Sequence, residues 1–259
     1  MSAAITSDGQ IYTWGCGMYG ALGQGDEENK LLPGWVKLDK ANPEEMEVKT
    51  VSCGQYHMAA ILTKTTDPSA KSSSVTVRDT TKVVTWGWNG CGQLGLGDFE
   101  DRNTPQVVEV ISGGGKVVEQ IVCGAAHCAA VVNLSMGELE IQGQLWTWGN
   151  GVAALATSDA AHAEIPRPFH LTKKGHESIE VFRVAAGDNF TLVLDDEGDL
   201  MVVGVNPKDS GSMKPIMKGL DIEKVGINGV DGLVTEIAAG GRHIAVLAPK
   251  RFAYSSLLA

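Results

Sequence analysis

Short apolar runs broken by glycine and turn residues recur along the chain, and several are copies of one another. "VSCGQYHMAAIL" begins at Val51, "IVCGAAHCAAVV" at Ile121, "VAAGDNFTLVL" at Val184 and "IAAGGRHIAVL" at Ile237. Each copy has a small residue, a glycine (Gly54, Gly124, Gly187, Gly240), a bulky residue soon after (His57, His127, Phe190, His243) and then an apolar run. Two strands joined by a tight turn fit this pattern, because glycine supplies backbone conformations that other residues resist. A further strand ending in glycine follows the first three copies, as "KVVTWG", "GQLWTWG" and "GDLMVVG", and "GQIYTWG" at Gly9 is the earliest of that series.

A glycine-rich loop follows the Trp-Gly strand. "TWGCGMYGALGQGD" (Thr13 to Asp26) aligns without gaps on "TWGWNGCGQLGLGD" (Thr85 to Asp98). Alone, "GCGMYG" from Gly15 has the G-x-G-x-x-G spacing of a dinucleotide loop, which must open a helix. The next residues, "ALGQGDEEN", oppose a helix, since each interior glycine costs about 1 kcal/mol relative to alanine. The copy also lacks a glycine at the place of Gly17, so the loop is a structural unit of a repeat. Outer strands are expected at "GWVKL", "TPQVVEV", "PRPFHL" and, more weakly, "KPIMKGL", mostly opened by a proline that suits a free sheet edge. The sum is an all-β chain of four-stranded antiparallel sheets, the pattern of a β-propeller. One domain over 1–259 would hold units at about 1–50, 51–110, 117–171 and 179–220, a partial unit at 232–259 and a loop insertion at 63–82.

The segments "WGWNGCGQLGLGD", "TPQVV" and "VEQIVCGAAHCAAVV" resemble the repeat of the regulator of chromosome condensation family, whose members are seven-bladed propellers. The second unit matches best and the first nearly as well. The third has lost most of its glycine loop ("NGVAALATSD"), and the fourth keeps only "VVG" and "AAGGRH". The resemblance implies a non-enzymatic scaffold that binds other proteins. It also implies an alternative, guanine-nucleotide exchange on a small GTPase, the activity of the family's founding member. About four units where seven are usual point to an open or incomplete ring. "SAAIT" (Ser2 to Thr6) reads as a second strand lacking its inner partner, and "GLVTEIAAGGRHIAVL" (Gly232 to Leu247) leaves little to finish a blade. Three full and two partial blades are expected, completed by another chain or by further sequence.

Composition narrows the setting. With 259 residues and 43% hydrophobic content the chain can bury a sizeable core. No apolar run nears the roughly 18 residues of a membrane span, and "MSAAITSDGQ" lacks the features of a signal peptide. Five cysteines, an odd number, read as reduced thiols, so a cytoplasmic setting is expected, with cytoskeletal or nuclear placement compatible. The net charge of -10 argues against nucleic-acid and anionic-membrane surfaces.

Cys53 with His57, and Cys123 with His127 and Cys128, are the residue types that zinc prefers. Ala186, Ala239 and Phe190 stand at the corresponding places in other units, which favours packing roles over metal ligation. No cofactor loop and no catalytic constellation is legible. Trp14, Trp86 and Trp148 recur before glycine and should pack between blades. Trp88 falls outside that register and is a candidate exposed contact. The loop "GDEENK", with Asp26, Glu27 and Glu28, could meet a basic partner. "SDG" at Ser7 and "DDEGD" at Asp195 read as turns. Long connections at Thr63 to Lys82, Asn133 to Gln142, Asp39 to Glu47 and Thr172 to Glu180 should all emerge on one face.

Overall fold

The computed structural model describes residues 1–38, 46–64, 81–136, 139–150, 162–171, 179–204, 234–248 and 251–256. Their strands fall into five antiparallel sheets, in each of which neighbours in sequence are neighbours in space. The first sheet holds β1 (Ser2–Ile5), β2 (Ile11–Gly15) and β3 (Lys30–Trp35). The second holds β4 (Glu47–Cys53), β5 (His57–Thr63), β6 (Thr81–Gly87) and β7 (Arg102–Val107). The third holds β8 (Lys116–Cys123), β9 (His127–Met136), β10 (Leu139–Asn150) and β11 (His162–Phe169). The fourth has β12 (Val181–Ala186), β13 (Phe190–Asp195) and β14 (Leu200–Gly204), and the fifth β15 (Glu236–Gly240), β16 (His243–Ala248) and β17 (Arg251–Ser256). Each sheet packs its face on the next, through β1 on β4, β5 on β8, β9 on β12 and β12 on β15. These sheets are the blades of a β-propeller.

Apolar residues stand at consecutive positions in the second strands because both faces of each blade are covered. Along β5, Met58, Ala60 and Leu62 join the layer against the first blade, while Ala59 and Ile61 join the layer against the third. In β9, Cys128, Ala130 and Val132 face back toward the second blade, and Ala129 and Val131 face forward toward the fourth. Side chains alternate across a strand with period two, so a strand buried on both sides reads as a continuous apolar run. The core is therefore a series of slabs, one between each pair of blades. A last slab joins Phe190, Leu192 and Val202 of the fourth blade to Ile244 and Val246 of the fifth.

The outer strands start earlier than the sequence suggested. Proline does not open them but lies inside, at Pro33, Pro105 and Pro166. The ladder is broken there, with pairs at Thr13↔Gly34 and Gly15↔Lys30, Thr85↔Gln106 and Gly87↔Arg102, and Thr147↔Arg167 and Gly149↔Ala163. The outer strand thus bulges beside the tryptophan each time, and proline's missing N–H falls where the ladder needs no donor.

Two other expectations are corrected. "NLSMGELEIQ" is largely a continuing hairpin, since β9 runs to Met136 and β10 begins at Leu139, paired Leu139↔Met136. The fifth blade has a third strand, β17, paired along β16 from Ser256↔His243 to Arg251↔Ala248. The expected outer strand at Lys214 to Leu220 and most of the 63–82 insertion lie outside the described residues. Among the described residues β1 pairs only with β2 and β15 only with β16, so the end blades do not join each other.

Trp86 and Trp148 are fully buried, whereas Trp14, at the same place in the first blade, is half-buried. Trp86→Ala should cost about 3–5 kcal/mol in denaturant unfolding, and Trp14→Ala distinctly less. Equal costs would show that blade packing does not set the value.

Candidate interaction face

The glycine loops join the third strand of each blade to its outer strand and lie on the same face as the turns after the inner strands. Trp88 N–H donates to Tyr56 O at 2.8 Å, and Asn150 N–H to Ala126 O at 2.8 Å, tying the two kinds of turn together. Each loop is pinned from within by a repeated set of bonds. Thr13 Oγ1 donates to Leu22 O at 2.6 Å, as Thr85 Oγ1 does to Leu94 O at 2.7 Å. Gly17 N–H donates to Asn29 Oδ1 and Asn89 N–H to Asp101 Oδ1, again at matching places. Asp26 binds Lys30 at 2.8 Å as Asp98 binds Arg102 at 2.6 Å, closing the loop's far end. The Lys30 hydrogen bond holds the Asp26 carboxyl below the usual carboxylate range.

Each loop also receives the next blade. Trp86 Nε1 donates to Ala21 O at 3.1 Å and Trp148 Nε1 to Gln93 O at 2.9 Å, and Ala21 and Gln93 occupy the same loop position. A Cβ at Gly23 would lie 2.7 Å from Trp86 Nε1, and one at Gly95 2.9 Å from Trp148 Nε1, with φ of +70° and +72°. Only glycine meets both demands. Further along, Gly25 N–H donates to Asn103 O at 2.9 Å and Gly97 N–H to Glu164 O at 2.8 Å, both acceptors lying in the outer-strand bulge of the following blade. The equivalent residue in the first blade is Leu31, which is 94% exposed, beside Leu32 at 78%.

On the outer side of these loops the structure gathers an aromatic cluster. Tyr19 packs edge-on against Tyr56 at 5.5 Å between ring centroids and tilts over Trp88 at 6.2 Å, bringing together the first loop, the second blade's turn and the second loop. Tyr19 has a backbone φ of +60°, the sole positive value outside glycine among the described residues. That conformation is disfavoured for a bulky residue and marks a position held by its surroundings. Met18 beside it is exposed, and Trp88 is half-buried. At the loop tips, Glu27 and Phe99 stand at equivalent places and both are exposed. Of the acidic residues singled out in sequence, Asp26 is engaged in closing its loop and Glu28 pairs with Lys30 at 3.0 Å, leaving Glu27 to project. Tyr19, Tyr56, Met18 and Phe99 were missed, because nothing local in the sequence signals a cluster assembled across two repeats.

The small-Gly-x-x-His turns form a second row of contacts. A Cβ at Gly54 would meet the His57 ring at 2.2 Å and Gly124 O of the next blade at 2.6 Å, and Gly124 and Gly187 repeat the arrangement with Gly187 O and Gly241 O. The bulky residue of one blade meets the residue one beyond its equivalent in the next. His57 Nε2 lies 3.3 Å from Cys128 Sγ and His127 Nε2 2.9 Å from Thr191 Oγ1, whereas Phe190 shares an apolar slab with Ile244. The last turn differs: nothing lies within 4 Å of a Cβ at Gly240, and His243 is exposed, no further blade packing on it among the described residues.

The fold and these loops define a propeller whose glycine loops clasp the following blade. The repeat described as regulator of chromosome condensation matches residues 8–61 and 82–131, so the chain carries copies of that repeat. The human E3 ubiquitin-protein ligase HERC2 is 30% identical over 244 residues, which are 93% of this chain and 4% of HERC2. The ultraviolet-B receptor UVR8 of Arabidopsis thaliana is 28% identical over 200 residues, 77% of this chain and 38% of the receptor. The crystal structure of human WBSCR16 matches with a TM-score of 0.69 at 22% identity, over 96% of this chain and 57% of that one, a likeness of fold. The chain thus spans less than two thirds of each of these proteins.

Burial, with a smaller contribution from His57, holds the buried His127 ring far below its usual range, at about 3. An unfolded histidine titrates near 6.5, so below that pH the unfolded chain takes up a proton the folded one refuses. The stability this site gives is complete above about pH 6.5 and is lost as pH falls toward 3, with a slope of up to about 1.4 kcal/mol per pH unit. The double variant His127→Phe/Thr191→Ile installs the pair that the next junction uses, and its unfolding free energy should fall less steeply over that range. Parallel pH curves for the two proteins would contradict this assignment.

Proposed function

We propose that the chain is a non-enzymatic protein-interaction module that works within a larger assembly and takes its partner on the glycine-loop face. The observation that carries this reading is the Tyr19, Tyr56 and Trp88 cluster, whose rings pack edge-on and tilted across two repeats on loops pinned from behind. Rigid aromatic anchors are the residues that dominate protein–protein binding energy. Exposed Met18 adjoins Tyr19, and Glu27 adds an exposed negative charge on the same loop. A partner with an apolar protrusion flanked by Lys or Arg suits this face. The names of the relatives, a ubiquitin ligase and a light receptor, belong to proteins much longer than the matched region, which supports a propeller that serves as a binding part in different wholes.

The test is affinity capture from the native organism with wild-type chain and with Tyr19→Ala/Trp88→Ala. Side-chain loss at central anchors should weaken binding by about 2 kcal/mol or more, enough to deplete the captured partner while circular dichroism and melting stay close to wild type. Capture unaffected by the double variant would place the interface elsewhere. Acceleration of nucleotide release from a small GTPase by catalytic amounts of the chain would replace the scaffold reading with exchange activity.

A further inference from the structure

The junction between the second and third blades holds more than the histidine contact found at the next one. His57 comes from β5, Cys123 from the end of β8 and Cys128 from the start of β9, where Cys123 and Cys128 are cross-strand partners. All three are buried, and their ligand atoms lie within 4.8 Å of one another. Cys128 Sγ is 3.3 Å from His57 Nε2 and 3.6 Å from Cys123 Sγ. The chain order hides this set, because Cys53 stands nearest His57 while Cys123 and Cys128 flank His127, and the fold exchanges the histidines across the junction.

We propose that His57, Cys123 and Cys128 form a soft-metal site, suited to Zn(II), that staples the second blade to the third. Zinc takes sulfur at about 2.3 Å and nitrogen at about 2.0–2.1 Å, so a tetrahedron separates two sulfurs by about 3.8 Å and sulfur from nitrogen by about 3.6 Å. The two separations that involve Cys128 are within about 0.3 Å of those values, and all three ligand atoms lie within 4.8 Å of one another, a set that small side-chain adjustments can close on an ion.

Access and a fourth ligand come from one place. Cys123 lines a groove of about 740 Å³ along the inner strands, together with Cys53, Ser52 and Gln120. Cys53 lines the same groove but stands outside the set whose ligand atoms lie within 4.8 Å of one another, so a water from the groove would complete four-coordination. On binding, each ligating thiol gives its proton to solvent as its S–H bond is replaced by a metal–sulfur bond, and His57 ligates through the neutral ring.

The next junction shows that packing does not require this chemistry. There His127 meets Thr191, and the place of Cys123 is taken by Ala186. Blade docking is met by a small residue at the first position and by Thr191 or Ile244 at the second. Only at the junction of the second and third blades are both thiols, Cys53 and Met58 standing at these places in the second blade.

The chain supplies its own test variants. Cys128→Thr and Cys123→Ala install residues it already uses at the equivalent places, so both should fold and melt close to the wild-type apoprotein. Cys16→Ser/Cys91→Ser removes two thiols that are not in the ligand set and serves as control. The full chain, reduced and stripped with a chelator, is titrated with Co(II), read by thiolate-to-cobalt charge-transfer absorption, and then back-titrated with Zn(II). Wild type and control should show the charge-transfer band saturating at one ion per chain and a raised melting temperature with Zn(II). Each site variant should lose the band and weaken in affinity by more than about a hundredfold, beyond what loss of a supporting residue costs. No charge-transfer band in the reduced wild type, or a band of equal strength and affinity in both site variants, overturns the proposal.

Discussion

The first two blade junctions of this propeller depend on one contact made between repeats: the indole N–H of a third-strand tryptophan donating to a carbonyl in the glycine loop of the preceding blade. Trp86 reaches Ala21 O and Trp148 reaches Gln93 O. A buried indole needs a partner for its N–H, or the desolvated donor opposes folding. The partner is supplied by a backbone that must approach within contact distance and turn with positive φ, which is why Gly23 and Gly95 carry no side chain. The outer strand then bulges at Asn103 and Glu164 to accept Gly25 and Gly97. Loop, tryptophan and bulge are one device, and no blade completes it alone. Stability of such an array is held in its junctions more than in its units.

The same device explains how binding surface can be built on loops. A segment with this many glycines would be mobile if free, but here its inner side is bonded to its own blade through Thr13, Asn29 and Lys30 and covered by the next. Its outer side is then free to vary between repeats, and it does. The first loop shows Met18, Tyr19 and Glu27 where the second shows Trp88 and Phe99 nearby. On the inner strands, variation falls on the residues around the histidine row, where sulfur, hydroxyl and apolar pairs succeed one another from junction to junction. Constraint at the clasp and freedom on either side of it is how one repeat supports different surfaces.

Much of this was legible because the repeats could be compared with one another. The Trp-Gly and small-Gly-x-x-His elements gave the blade register, and continuous apolar runs around Ala59 and Ala129 marked the strands covered on both faces. The outer strands were placed too late because their first residues are polar or loop-like, and pairing there runs through backbone at a bulge that has no side-chain signature. Extension of the hairpin through Leu139 reads as a loop because Gly137 and polar residues interrupt the apolar run there, although the pairing continues to Leu139↔Met136. Neither the aromatic cluster nor the His57, Cys123 and Cys128 group could be read along the chain. Each is assembled from different repeats, and the distance from Tyr19 to Trp88 is set by the tilt of one blade on the next.

The most direct test of the clasp is hydrogen exchange at the tryptophan indoles, followed by NMR on the native chain. Trp86 and Trp148 donate to carbonyls between packed blades, while Trp14 is half-buried in a blade that receives no glycine loop among the described residues. Indole protons at Trp86 and Trp148 should therefore exchange only by sub-global opening, orders of magnitude more slowly than that of Trp14. Comparable, rapid exchange at all three in the folded protein would contradict the account, because the blades would then be held together by something other than this contact.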